Sequence, residues 1–125
     1  MHDLISIFIG GGLGSLCRYS IGAYLLKNTT NGFPWPTFLA NIIGCLCFGL
    51  IFGFLERRSS PRLYLLLITG FCGGFTTFST LTNETFHLLR NGFYYTAFTY
   101  VALTLIAGLF SLASGFLLMT HASSK

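Results

Sequence analysis

Four long apolar runs, joined by connections of only a few polar residues, leave this chain little choice of fold. The runs cover residues 4–26, 35–55, 63–89 and 93–119, within a single domain spanning 1–125. A helix rises about 1.5 Å per residue, so about 20 apolar residues cross roughly 30 Å of hydrocarbon. Each run is long enough. Only 8% of the side chains are charged, against about a quarter in a water-soluble domain. The sequence therefore predicts an all-α membrane protein with four transmembrane helices, a multi-pass protein of the inner (plasma) membrane. The first run lacks a basic leader and is interrupted by Gly10 to Gly14, which suits a permanent span rather than a signal peptide.

The net charge of +4 does not point to nucleic acid, because the basic residues are scattered at span ends without a dense patch. Arg57, Arg58, Arg62 and Lys125 fall on one side of a four-span layout. Lys27 and Arg90 fall on the other, with Arg18 in the outer half of the first span. So small a bias orients the chain only weakly by the positive-inside rule. It suits dual topology, in which copies insert both ways and pair antiparallel. Small residues four apart (Gly10 and Gly14, Gly11 and Ser15, Gly49 and Gly53, Ser111 and Gly115) permit close helix approach and suggest a dimer. The four cysteines sit in apolar runs without a C-x-x-C pair or a Cys/His cluster, which reads as buried small residues.

The third run contains GFCGGFTTFST at 70–80. Gly70, Gly73 and Gly74 leave a helix cheaply, and a cluster of hydroxyls follows: Thr76, Thr77, Ser79, Thr80 and Thr82. Unwound backbone in lipid survives only where protein, water or an ion satisfies its polar groups. A break near 73–77 is expected, with its carbonyls suited to a cation and its N–H groups and hydroxyls to an anion. Phe75 and Phe78 supply ring edges of positive character. Asn41, an amide in an apolar run, serves either as glue between helices or as a donor. Tyr100 and Thr104, four apart, share a face of the fourth helix. Arg18 either snorkels to the interface or attracts ions at a mouth. Glu84 suits an anion path only if it is protonated, paired or bonded to neighbouring donors.

At these residues the sequence resembles the Fluc (CrcB) family of small fluoride ion channels. GGGLGSLCRY at 10–19 is like the family's Gly-Gly-x-x-Gly-x-x-x-Arg start. Thr37 and Asn41 match its second-helix polar positions. GFCGGFTTFST is the most specific signature, with Glu84 following at the family distance. The resemblance implies an antiparallel dual-topology dimer with two fluoride pores. It implies a structural Na+ at the dimer centre, held by backbone carbonyls at Gly73 and Thr76. It further implies that Asn41, Phe78, Ser79, Thr80, Tyr100 and Thr104 line or support the pores, with Phe75 nearby and Arg18 and Thr37 in a vestibule. Glu84, Leu81 and Thr82 would stand as pore support. Leu81 departs from the pattern, since the family usually places a second phenylalanine there. The partner would be a second copy or a related unlike subunit.

Passive export of fluoride is the implied activity, and no catalytic set or phosphate loop suggests an enzyme. Two other functions compete. A proton-coupled small multidrug exporter shares the four-span, dual-topology plan but needs a carboxylate deep in the first helix, where only Asp3 lies, at its edge. A non-transporting membrane assembly protein explains the small-residue packing but leaves the hydroxyl cluster idle.

Overall fold

The computed structural model describes residues 1–26 and 32–122, so the expectations on Lys27 and Lys125 lie outside the described residues. The described chain is helical throughout: α1 His2–Leu26, α2 Trp35–Leu55, α3 Pro61–Tyr64, a π-helical stretch Leu65–Cys72, α4 Gly73–Phe75, α5 Phe78–Arg90 and α6 Tyr94–Ala122. α3 through α5 form one interrupted span, and among the described residues four spans are long and apolar enough to cross a membrane.

Local chemistry sets the boundaries. Proline stands in the first turn of both α2 and α3, where its missing N–H costs nothing. Gly92, just beyond the end of α5, has a φ of 83° that suits glycine. There the Gly92 N–H donates to the Leu89 carbonyl at 3.1 Å and the Phe93 N–H to the Leu88 carbonyl at 2.9 Å. This Schellman turn satisfies the last carbonyls and reverses the chain into α6.

Two tight pairings hold the bundle. α1 packs on the π-helical stretch and α4, while α2 packs on α6. Glycines make both approaches possible. A Cβ on Gly14 would run into the Phe71 carbonyl and come within 2.9 Å of the Phe75 nitrogen; one on Gly49 would run into the Leu112 carbonyl and come within 2.9 Å of the Phe116 nitrogen. In lipid there is no hydrophobic gain from helix association, so such close contact is the main attraction. The small-residue pairs at Gly10/Gly14 and Gly49/Gly53 are therefore used inside one chain. α1 nevertheless buries only 11% of its most apolar window, which leaves most of its surface for lipid or another chain.

The glycines of the third span act differently from the sequence reading. Gly73 is helical, with φ −63° and ψ −37°, and Gly74 lies within α4. The uncoiled residues are Thr76 and Thr77, both extended, at φ −80°, ψ 154° and φ −148°, ψ 116°. Gly70 and Gly74 are sites of close packing, each with α1 backbone at 3.0 Å from a built Cβ. The break is thus a two-residue step made by threonines, placed just beyond a glycine-lined seam.

Candidate functional site

The step leaves backbone polar groups inside the span, and five side chains answer them. Asn41 on α2 closes a reciprocal pair: its Oδ1 accepts from the Thr77 N–H at 2.8 Å, and its Nδ2 donates to the Thr77 carbonyl at 3.3 Å. Ser15 Oγ and Arg18 Nε on α1 both donate to the Gly74 carbonyl at 3.3 Å. Thr76 Oγ1 donates to the Cys72 carbonyl at 2.9 Å. Thr77 caps α5, its Oγ1 accepting from the Thr80 N–H at 3.2 Å, a contact worth about 1 kcal/mol at a helix start. Outside the helices, the backbone hydrogen bonds of the described residues reach neither the Gly73 nor the Thr76 oxygen. Hard cations prefer such oxygen donors, so these two fit the expected ion chemically.

A second network lies one to two turns further along α5. Both oxygens of Glu84 are engaged, Oε1 by the Thr37 hydroxyl at 2.8 Å and Oε2 by the Tyr100 hydroxyl at 2.6 Å. Tyr100 is 0% exposed and its ring meets the edge of Phe33 at 5.3 Å. Thr104 is also buried, its Oγ1 donating to the Tyr100 carbonyl at 2.7 Å. No buried side-chain nitrogen or oxygen among the described residues lacks a partner.

Two hollows flank this polar ridge. One, of about 820 Å³, is lined by Arg18, Thr37, Thr77, Thr80, Glu84 and His87 among others. The other, of about 380 Å³, is a groove lined by Asn41, Thr76, Thr77, Phe78, Leu81 and Thr104 among others. Thr77 lines both, so the break stands between the hollows. The fold therefore gathers Arg18, Thr37, Thr80 and Glu84 at one side of the step, and Asn41, Thr76, Phe78, Leu81 and Thr104 at the other. Phe75 is buried and stacks on Phe71 at 5.8 Å. Phe78 is 78% exposed on the isolated chain, whereas Leu81 is 5% exposed. Ser79 and Thr82 are exposed, and the Thr82 hydroxyl is turned back to the Phe78 carbonyl at 2.8 Å.

Proton accounting sorts the donors further. The hydroxyl protons of Thr37, Thr76, Thr82, Tyr100 and Thr104 are committed to oxygens within the chain. Thr77 donates to Thr80 Oγ1 at 3.0 Å, which leaves the Thr80 hydroxyl proton to point elsewhere. Asn41 has a second N–H, and Arg18 has guanidinium donors beyond Nε. These are the groups equipped to meet an anion. Sequence reasoning missed Ser15 as a donor and Thr77 as the pivot. Thr77 carried a legible signal, a threonine opening a helical run as an N-cap. The Asn41–Thr77 pairing carried none, because it joins residues 36 positions apart.

Comparison with known proteins places the chain. The profile of the family described as CrcB-like protein, Camphor Resistance (CrcB), matches residues 5–116. The chain is 42% identical over 120 residues to a fluoride-specific ion channel FluC of Flavobacterium psychrophilum, covering 94% of this chain and 97% of that one. The like-named protein of Phocaeicola vulgatus is 40% identical over 116 residues, covering 92% and 96%. That of Bacteroides fragilis is 46% identical over 119 residues, covering 92% and 94%.

Proposed function

The chain belongs to the CrcB family, and from that premise we propose that it is a fluoride-selective ion channel rather than an enzyme. It sits in the inner membrane as a multi-pass protein and lets fluoride leave the cell passively. The observation that carries this reading is the match across 94% of the chain to a protein named as a fluoride-specific channel.

Fluoride holds its water tightly, so entry into a narrow path requires donors that replace hydration. Arg18 attracts the ion into the larger hollow. Thr80, polarised by the proton it accepts from Thr77, offers the first hydroxyl. The free N–H of Asn41 follows beyond the step, beside the edge of Phe78. Ser79, exposed next to Thr80, supplies a further hydroxyl where a second chain covers it. Glu84 is not a bare carboxylate, because Thr37 and Tyr100 donate to its two oxygens. Its role is to hold α2, α5 and α6 in register, with Tyr100 and Thr104 as buried supports. Phe75 and Thr82 buttress the step from either end.

The functional unit is a dimer of oppositely inserted copies, or of this chain with an unlike relative. Support comes from the near-balanced end charges and from the exposed Phe78 beside the open groove. A structural Na+ would be held between the two copies by the Gly73 and Thr76 carbonyls, which accept none of the backbone bonds described outside the helices. When bound, it neutralises the paired negative ends of the broken helices.

The test is efflux from liposomes carrying the purified chain. Rapid fluoride release with chloride retained is expected. Equal rates for the two ions, or no fluoride release from well-folded protein, would reject the reading.

A further inference from the structure

The turn that enters α2 places an aromatic ring to which the path described above gives no part. Gly32, at φ 64°, bends the chain, and the Trp35 N–H donates to the Phe33 carbonyl at 2.8 Å. The half-buried Phe33 ring then lies among three others. Its centroid is 4.7 Å from Trp35, 5.6 Å from Phe38 and 5.3 Å from Tyr100, and the last two rings cross at 80°. Phe33, Thr37 and Glu84 line the hollow of about 820 Å³, whereas Tyr100 does not reach its wall and is 0% exposed. Phe33 thus covers Tyr100 on the side of the hollow. Behind it the Tyr100 hydroxyl donates to Glu84 Oε2 at 2.6 Å, while the Thr37 hydroxyl holds Oε1 at 2.8 Å.

We infer that Phe33 is a positioning residue of the fluoride path, whose ring seals the Tyr100–Glu84 bond from the water of the entry hollow. The inference rests on the fluoride-channel reading and deepens it. A hydrogen bond to a charged group is strong in a low-dielectric surround, and water that reaches it competes for both partners. With the ring in place the carboxylate keeps one position, and α2, α5 and α6 keep the register that sets Asn41 and Thr80 along the path. Once water enters, Glu84 gains other partners and its negative charge is free to turn into the hollow, against the entering anion. Phenylalanine suits a seal because it is large and carries no polar group that needs a partner of its own. Packing alone asks only for bulk, whereas a seal asks for bulk without polarity, and the two are separable.

The experiment compares Phe33→Leu with Phe33→Gln, side chains of similar size and opposite polarity, in the intact chain. A single elution peak checks that both fold. In liposome efflux Phe33→Leu is expected within about twofold of wild type and Phe33→Gln roughly tenfold slower, as loss of one bond to a charged group predicts. Infrared spectra give a readout independent of flux. The chain has three acidic side chains, so subtracting the spectrum of Glu84→Gln identifies the Glu84 carboxylate band. That band is expected to shift toward the position of a water-bound carboxylate in Phe33→Gln and to stay in place in Phe33→Leu. Equal efflux from the two variants, fast or slow, overturns the inference, because polarity at this position is then without effect. An unshifted band in Phe33→Gln overturns it as well. So does a wild-type band already at the position of a water-bound carboxylate, a result that needs neither variant to fold. All three leave the channel reading intact. Absence of fluoride efflux from wild type defeats the channel reading and this inference with it, whatever the band shows.

Discussion

Replacing Asn41 by aspartate changes one atom and tests both the step and the path. In the native chain Oδ1 accepts from the Thr77 N–H at 2.8 Å and Nδ2 donates to the Thr77 carbonyl at 3.3 Å. Aspartate keeps the first contact. It turns the second into two oxygens facing each other with no proton between them. The lost bond is worth about 0.6 kcal/mol by the average for membrane interiors. The new charge within a span costs roughly 2.5–3.5 kcal/mol. The broken segment should therefore lose about 3–4 kcal/mol, enough to lower the unfolding temperature in detergent. The effect on permeation is larger in kind. A fixed negative charge about 5 Å from a passing anion, at an effective dielectric of about 20, raises its barrier by about 3 kcal/mol. That slows fluoride by about two orders of magnitude. Liposome efflux measures it, with Asn41→Leu as the uncharged companion that also loses both bonds. Asn41→Asp running within threefold of wild type would refute the electrostatic reasoning. Asn41→Leu as slow as Asn41→Asp would show that the clamp on Thr77, not charge, is what matters.

Two more substitutions separate packing from permeation. Gly14→Ala places a methyl group against the Phe71 carbonyl and the Phe75 nitrogen, both backbone atoms, so α1 must move away. Overpacking of this kind costs about 1–3 kcal/mol, read as a lowered unfolding temperature. Gly22→Ala, with nothing within 4 Å, should be neutral or stabilising by up to about 1 kcal/mol. Leu81→Phe restores a ring at the wall of the smaller groove, where an edge contact worth about 0.5–1.5 kcal/mol should speed fluoride efflux severalfold. An unchanged rate together with reduced stability would mean that the ring turns into the core.

The four spans were legible because lipid demands length and apolarity, and both are written in single residues. The interruption was legible in outline, from glycines and hydroxyls crowded into one run. Its placement was not. The glycines suggested unwinding, yet Gly70 and Gly74 serve approach to α1, while the chain uncoils at Thr77 because Asn41 and the Thr80 N–H offer its polar groups other partners. Such competition depends on contacts between distant residues, which no periodicity encodes. For the same reason the sequence singled out Glu84 but could not supply Thr37 and Tyr100 as the groups that occupy it. The π-helical turns left no mark at all, since LLLITGFC reads equally well as an α-helix.

Those turns have a consequence for how the chain tolerates change in length. One residue in an α-helix corresponds to about 100° of rotation, and a π-helix closes its bonds one residue later. Residues 65–72 therefore work as a phase shifter, setting the azimuth at which Thr76 and Thr77 emerge relative to the seam with α1. An insertion or deletion there would leave hydropathy untouched and still swing the threonines away from Asn41. In this stretch, angular bookkeeping constrains the gene more tightly than side-chain identity does.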